Sequence, residues 1–205
     1  PGTDWGRVPA MEVANGATAR LGLREGPVSG IPFWEARLNE GHRITAIGGS
    51  DNHDPLDTTG ARQSPVGTPA TVVRAVRADM DAILDGVREG AVFIDFENRP
   101  ERSLEVEARK NSAIAPMGAT MILAPGEEAT FHVTLAGVAV AQVEIVSGGL
   151  DVTQTASIST PSPDASFRLK NGSSRGWIRA NIRDGSGTLQ LIGNPVYIEA
   201  GPAQA

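Results

Sequence analysis

The chain has 205 residues, 40% of them apolar, and a formal charge of −6, which suits one or two domains with a packed core. Neither half carries a basic block, so no nucleic-acid surface is expected. Cysteine is absent, which excludes a disulfide framework and thiolate metal sites, and no apolar run reaches the roughly 18 residues of a membrane span. No leader is legible at Pro1, and the compartment, cytoplasmic or exported, stays open.

Residues 1–9 read as a polar loop, and 10–14 as a short strand stopped by the turn signal Asn15-Gly16. Glu12 inside that strand suits a role behind a metal ligand, or a structural pairing. A short helix is expected over 17–25. A second follows Pro32, with Gly41 after its end and Trp34 and Leu38 on one face. Trp34 is expected as a core anchor, and His42 as a structural residue at the helix end.

Ile44 to Ile47 form an apolar run that reads as a buried strand, and Gly48-Gly49-Ser50-Asp51-Asn52-His53-Asp54 turn sharply away from it. Asp51 and His53 pair a hard carboxylate with an imidazole nitrogen, both metal-ligand types, in a loop following a strand. Alone, the same triplet also suits a helix cap and an exposed loop histidine. Residues 54–65 read as a substrate loop in which Arg62 either holds an oxyanion or is solvated. A strand over 71–76, a helix over 80–89 begun by Asp79 and Asp81 and closed by Gly90, and a strand over 91–96 complete a β/α pattern. Four such strands are too few to close a barrel.

The pattern changes at Arg99-Pro100. Apolar residues then alternate with polar ones around 104–109, 130–135, 143–145 and 178–183, predicting strands with one wet face. Turn signals stand at Pro125-Gly126, Gly148-Gly149, Asn171-Gly172 and Asp184-Gly185, and a last strand is expected near Val196. Residues 153–165 read as an exposed loop or edge. This spacing predicts an antiparallel sandwich. His132 falls on its polar face, and Trp177 is expected to pack at its edge rather than stack on a sugar. The expected organisation is α/β followed by all-β, with a boundary near residue 100: 1–100 and 101–205.

The motif Gly-Gly-Ser-Asp-Asn-His at 48–53, preceded by Trp34…Leu38-Asn39…Gly41 and followed by Gly67-Thr68-Pro69-Ala70-Thr71, resembles the last metal-binding motif of the PHP (polymerase and histidinol phosphatase) superfamily, nearest its carbaryl-hydrolase-like branch. Residues 11–16 and 83–94 are similar to the flanking strands and helix of that group. The resemblance covers roughly residues 5–100. It implies the C-terminal part of a distorted β/α barrel, followed here by a sandwich as accessory module. It also implies two or three divalent ions (Zn, Mn or Fe) in the complete site, with Asp51 and His53 as ligands and Asp51 also catalytic. Glu12, Asn52 and Arg62 would stand behind the metals or against substrate. The activity implied is hydrolysis of a small-molecule phosphoester, or a related ester or carbamate, by metal-activated water. The family's opening His-x-His pair is missing from a chain with three histidines. The rest of the barrel is therefore expected on another segment of the same or another chain, with no activity without it. Two competing expectations are a glycan- or protein-binding module built on the sandwich and a metal-free structural fragment.

Overall fold

Two parallel strands carry the start of the chain: β1 (Ala10–Asn15) and β2 (Thr45–Gly49), with Met11 opposite Ala46, Asn15 opposite Gly49, and a register shift between Glu12 and Ala14. Parallel strands need a crossover, and two helices supply it. α1 (Gly16–Arg20) starts where the Asn15 side chain accepts from the Ala17 amide at 2.8 Å. Position 16 must be glycine, because a Cβ there would collide with the Ser50 carbonyl. α2 (Ile31–Asn39) has Pro32 in its first turn, and Gly41 at φ 90° ends it. Its predicted face is the buried one: Trp34 and Leu38 pack inward, and Trp34 Nε1 donates to the Ile44 carbonyl at 2.7 Å. The computed structural model describes residues 2–54, 56, 64–138, 140–152, 157–159, 164–172 and 175–201.

The next elements are β3 (Ala70–Val73), α3 (Met80–Arg88) and β4 (Val92–Asp95). They do not continue the expected β/α pattern, because β3 and β4 pair antiparallel, Ala70 opposite Asp95 and Val73 opposite Val92. The pairing runs to the strand end, where the Arg74 amide donates to the Ala91 carbonyl at 2.8 Å, so the chain returns beside β3. α3 sits on that return, with Gly86 so near that a Cβ would lie 2.8 Å from the Arg74 carbonyl oxygen.

The remaining strands are β5 (Ser103–Lys110), β6 (Ala113–Pro116), β7 (Thr120–Ile122), β8 (Glu128–Ala136), β9 (Val140–Gly148), β10 (Leu150–Val152), β11 (Ser157–Ser159), β12 (Asp164–Asn171), β13 (Arg175–Arg183), β14 (Leu189–Gly193) and β15 (Val196–Glu199). One sheet runs β10-β12-β8-β5-β6, all antiparallel. The other runs β11-β9-β13-β14-β4-β3, with β15 pairing the first half of β13 and, on its other side, β7 in parallel. Their facing sides enclose Leu104, Phe131, Val133, Phe167, Ile178, Ile182, Leu191 and Val196. Among the described residues the chain is mostly β, in three sheets, and none closes into a barrel. Within 153–165, read from sequence as an exposed loop or edge, lie β11, which is an edge strand, and the start of β12. The β4–β14 pairing also carries one sheet across residue 100.

The expectation of a wet face on β13 is corrected. Trp177 to Ile182 are all buried, because β1, α2 and β2 cover the side of the sheet turned away from the sandwich core. The polar members of that face pair there. Arg179, 1% exposed, meets Glu35, stacks on the Trp34 ring at 5.1 Å and donates to Asn181 Oδ1 at 2.5 Å. Burial pulls the Arg179 pKa down, and the Glu35 carboxylate opposes that shift. Trp177 donates to Asn39 Oδ1 at 2.9 Å and presents no ring to solvent; it packs not at the sandwich edge, as expected, but on an interior strand between β9 and β15.

β2 lies against β4 and β3 without a ladder to either; Gly48 leaves no room for a Cβ beside Ile94. Side chains satisfy its free edge instead. The Ala46 amide donates to Asn194 Oδ1 at 2.7 Å, and Asn194 Nδ2 returns bonds to the Ala46 and Val92 carbonyls at 3.0 and 2.9 Å. The Gly48 amide donates to Thr71 Oγ1 at 2.9 Å, and the Thr71 hydroxyl donates back to the Gly48 carbonyl at 2.7 Å. Buried backbone groups need partners, and a strand missing its neighbour finds them here in two side chains.

Candidate functional site

The carboxyl ends of β1 and β2 lie side by side, so residues after each strand converge. From β1 come Glu12 and Asn15. From the turn after β2 come Asp51, Asn52 and His53. Asp51 sits at φ 52°, a left-handed conformation that aspartate tolerates better than most residues. That turn brings Asp51 Oδ1 to 3.0 Å from His53 Nε2, with the two side chains 47% and 80% exposed. The neighbouring Asn15 side-chain amide, and after it the His53 ring, hold the Asp51 carboxyl below its usual range.

Glu12 accepts from Asn15 Nδ2 at 2.8 Å, and its other oxygen lies against Gly49, where a Cβ would sit 3.2 Å away. Glu12 thus lies behind the turn, bonded to Asn15. Asn52 turns away from it: its Nδ2 donates to the Ser64 carbonyl at 2.7 Å and its Oδ1 accepts from the Asp54 amide at 2.7 Å. Asn52 therefore staples the turn to the segment returning at Ser64, which is buried and donates to the Thr68 carbonyl. Arg62 lies outside the described residues. His42 stands near Glu40 at 3.6 Å, and His132 meets Ser166 Oγ at 3.0 Å; neither joins the site.

Sequence reasoning missed Asn15, which reads as a turn former. Its signal is positional: it closes the strand that pairs with the motif-bearing one, and that pairing is a tertiary fact.

Asp51 and His53 are donor types a divalent ion takes, but the 3.0 Å between Asp51 Oδ1 and His53 Nε2 is a hydrogen bond that joins the two side chains to each other. They fall short in number, since a held ion takes three protein ligands or more. Among the described residues no group of three or more His, Cys, Asp or Glu side chains could hold a metal. No helix among them is long and apolar enough to cross a membrane. No family model matches the chain, and no curated protein matches it in sequence.

Proposed function

We propose that this chain is the C-terminal part of a metal-dependent hydrolase of PHP type, acting on phosphoesters or related esters and carbamates. In this reading β1, α1, α2 and β2 belong to the barrel, and the sandwich is an accessory module. The observation that carries it is the Asp51–His53 pair, held 3.0 Å apart in the turn after a parallel strand and open to solvent. A half-site that receives further ligands from another segment has to be open in this way.

Asp51 would hold a zinc, manganese or iron ion through a charged oxygen, and His53 through a neutral nitrogen. A divalent ion there supplies Lewis acidity toward the ester and a lowered pKa for water. The chain's own part is to fix both donors on a short turn stapled by Asn52 and to keep the Asp51 carboxylate ionised.

Asp51→Asn and His53→Ala, each made in the complete enzyme, are expected to lower hydrolysis of aryl phosphates and aryl esters with added Mn²⁺ or Zn²⁺ by about 100-fold or more, the upper end of losses seen when metal binding is disturbed. Melting temperature measured without metal should stay near wild type, because both side chains are exposed. Wild-type turnover and metal content in both variants would make the turn purely structural. Calorimetry on this chain alone should find only weak binding of either ion, since two ligands are too few.

A further inference from the structure

α3 is attached to its own chain by its smallest residues. Ala82 and Gly86 are its buried positions, and a Cβ on Gly86 would lie 2.6 Å from Val73 Cγ1 of β3. The large apolar side chains are left outside. Met80 is 74% exposed, Ile83 41% and Leu84 42%, and Val76, just before the helix, 88%. Steps of three and four residues put Met80, Ile83, Leu84 and Val87 on one face. α2 does the reverse and buries Ile31, Trp34 and Leu38. α3 is thus an amphipathic helix whose apolar face its own chain leaves uncovered.

The charges beside that face select what covers it. Asp81 stands in the first turn and Arg88 in the last, and both border Leu84 on the same flank. Among the described residues Asp81 has no ion-pair partner. Arg88 meets Asp85 at 2.9 Å through Nη1, which leaves further guanidinium donors on the same group. Lay two copies of α3 antiparallel, apolar face to apolar face. Met80 of each then meets Val87 of the other, Leu84 lies near the two-fold axis, and Asp81 of each stands against Arg88 of the other. A parallel pair would set Asp81 against Asp81 and Arg88 against Arg88. The flank is therefore self-complementary in the antiparallel sense alone, as a two-fold contact requires.

We propose that the exposed face of α3 is a self-association surface that pairs two copies of this chain antiparallel about a two-fold axis. The proposal does not depend on a metal at Asp51 and His53. One short helix per copy makes a small contact, so the dimer is weak, with a Kd on the order of tens of micromolar. At the low micromolar concentrations of a melting experiment the chain is a monomer.

The test is sedimentation velocity on the full chain, from about 5 to about 300 µM, a range that brackets such a Kd. Wild type should pass from monomer to dimer across it. Leu84→Lys should weaken association by about tenfold or more, as loss of a central apolar contact does. Met80→Lys repeats the comparison if circular dichroism shows that the first variant does not fold. Asp81→Arg and Arg88→Asp each place like charges across the contact twice, and each alone should stay monomeric where wild type is a dimer. Mixed in equal amounts, the two should dimerise again, because each offers the charge the other lacks. A contact made elsewhere on the molecule would give no such rescue. Wild type that stays monomeric throughout, or a dimer that Leu84→Lys leaves intact, overturns the proposal and leaves the face to a different occupant. Charge variants that dimerise alone, or stay monomeric when mixed, overturn the antiparallel pairing and the proposal with it.

Discussion

Asn194 shows how much one side chain can hold. It is fully buried, and its three hydrogen bonds reach β2 and β4. Asn194→Ala would leave an amide and two carbonyls without partners in a dry interior. The expected loss is about 3 kcal/mol or more in urea denaturation, since each orphaned group costs roughly 1–3 kcal/mol. Tyr197 offers a pH test. Burial raises its pKa from the usual 10.0 to about 12, against the opposing pull of Arg43, stacked 4.7 Å from the ring centre, and of a hydrogen bond with the Ile44 backbone. A folded pKa above the unfolded one stabilises the protein while the phenol is neutral. That contribution is whole below about pH 10 and is lost as pH rises toward 12. It is the only tyrosine, so tyrosinate absorbance reads this group alone. In Tyr197→Phe the alkaline fall in stability over that window should flatten.

Elements with punctuation were legible, and those without it were not. Pro32 with Gly41, and Asp79 with Gly90, marked both longer helices, and Asp79 does accept from the Ala82 amide at 2.9 Å. Asp79→Ala should therefore cost about 1 kcal/mol in thermal or urea melting, whereas Ile83→Lys, on the solvent side of the same helix, should stay within about 0.5 kcal/mol of wild type. β14 escaped sequence reading because every residue of Leu189–Gly193 is buried, so no alternation marks it. β13 misled in the opposite sense: its alternation is real, but Glu35 and Trp34 meet Arg179 on the side that looked wet. The antiparallel pairing of β3 and β4, which runs on to the Arg74–Ala91 bond, is announced by no residue type. The site divides likewise. Asp51 and His53 stand two apart and could be read directly, but Asn15 gains its meaning only from lying across the ladder at Gly49.

At the scale of the whole molecule, the change of pattern at Arg99-Pro100 does not interrupt the hydrogen bonding. β4 pairs with β14, and Asp95, 1% exposed, accepts from the Glu97 and Arg99 amides and from Arg102 Nη1 at 3.0 Å. A chain of residues 99–205 would open the Ile94 side of β14 and strip the cover from Trp177 and Arg179. It is expected to melt more than about 10 °C below the full chain, a loss of a few kcal/mol in a domain of that size. Coincident melting curves by circular dichroism would show that the first hundred residues lend the sandwich nothing. The side-chain plug on β2 also sets the order of events in synthesis. Ala46 is made 148 residues before the Asn194 that completes its strand. At about 5–20 residues per second, that is roughly 7 to 30 s on the ribosome with the strand beneath Asp51 and His53 unsealed. A nascent chain halted anywhere before β14 would carry the whole motif and still lack the residue that fastens its strand in place.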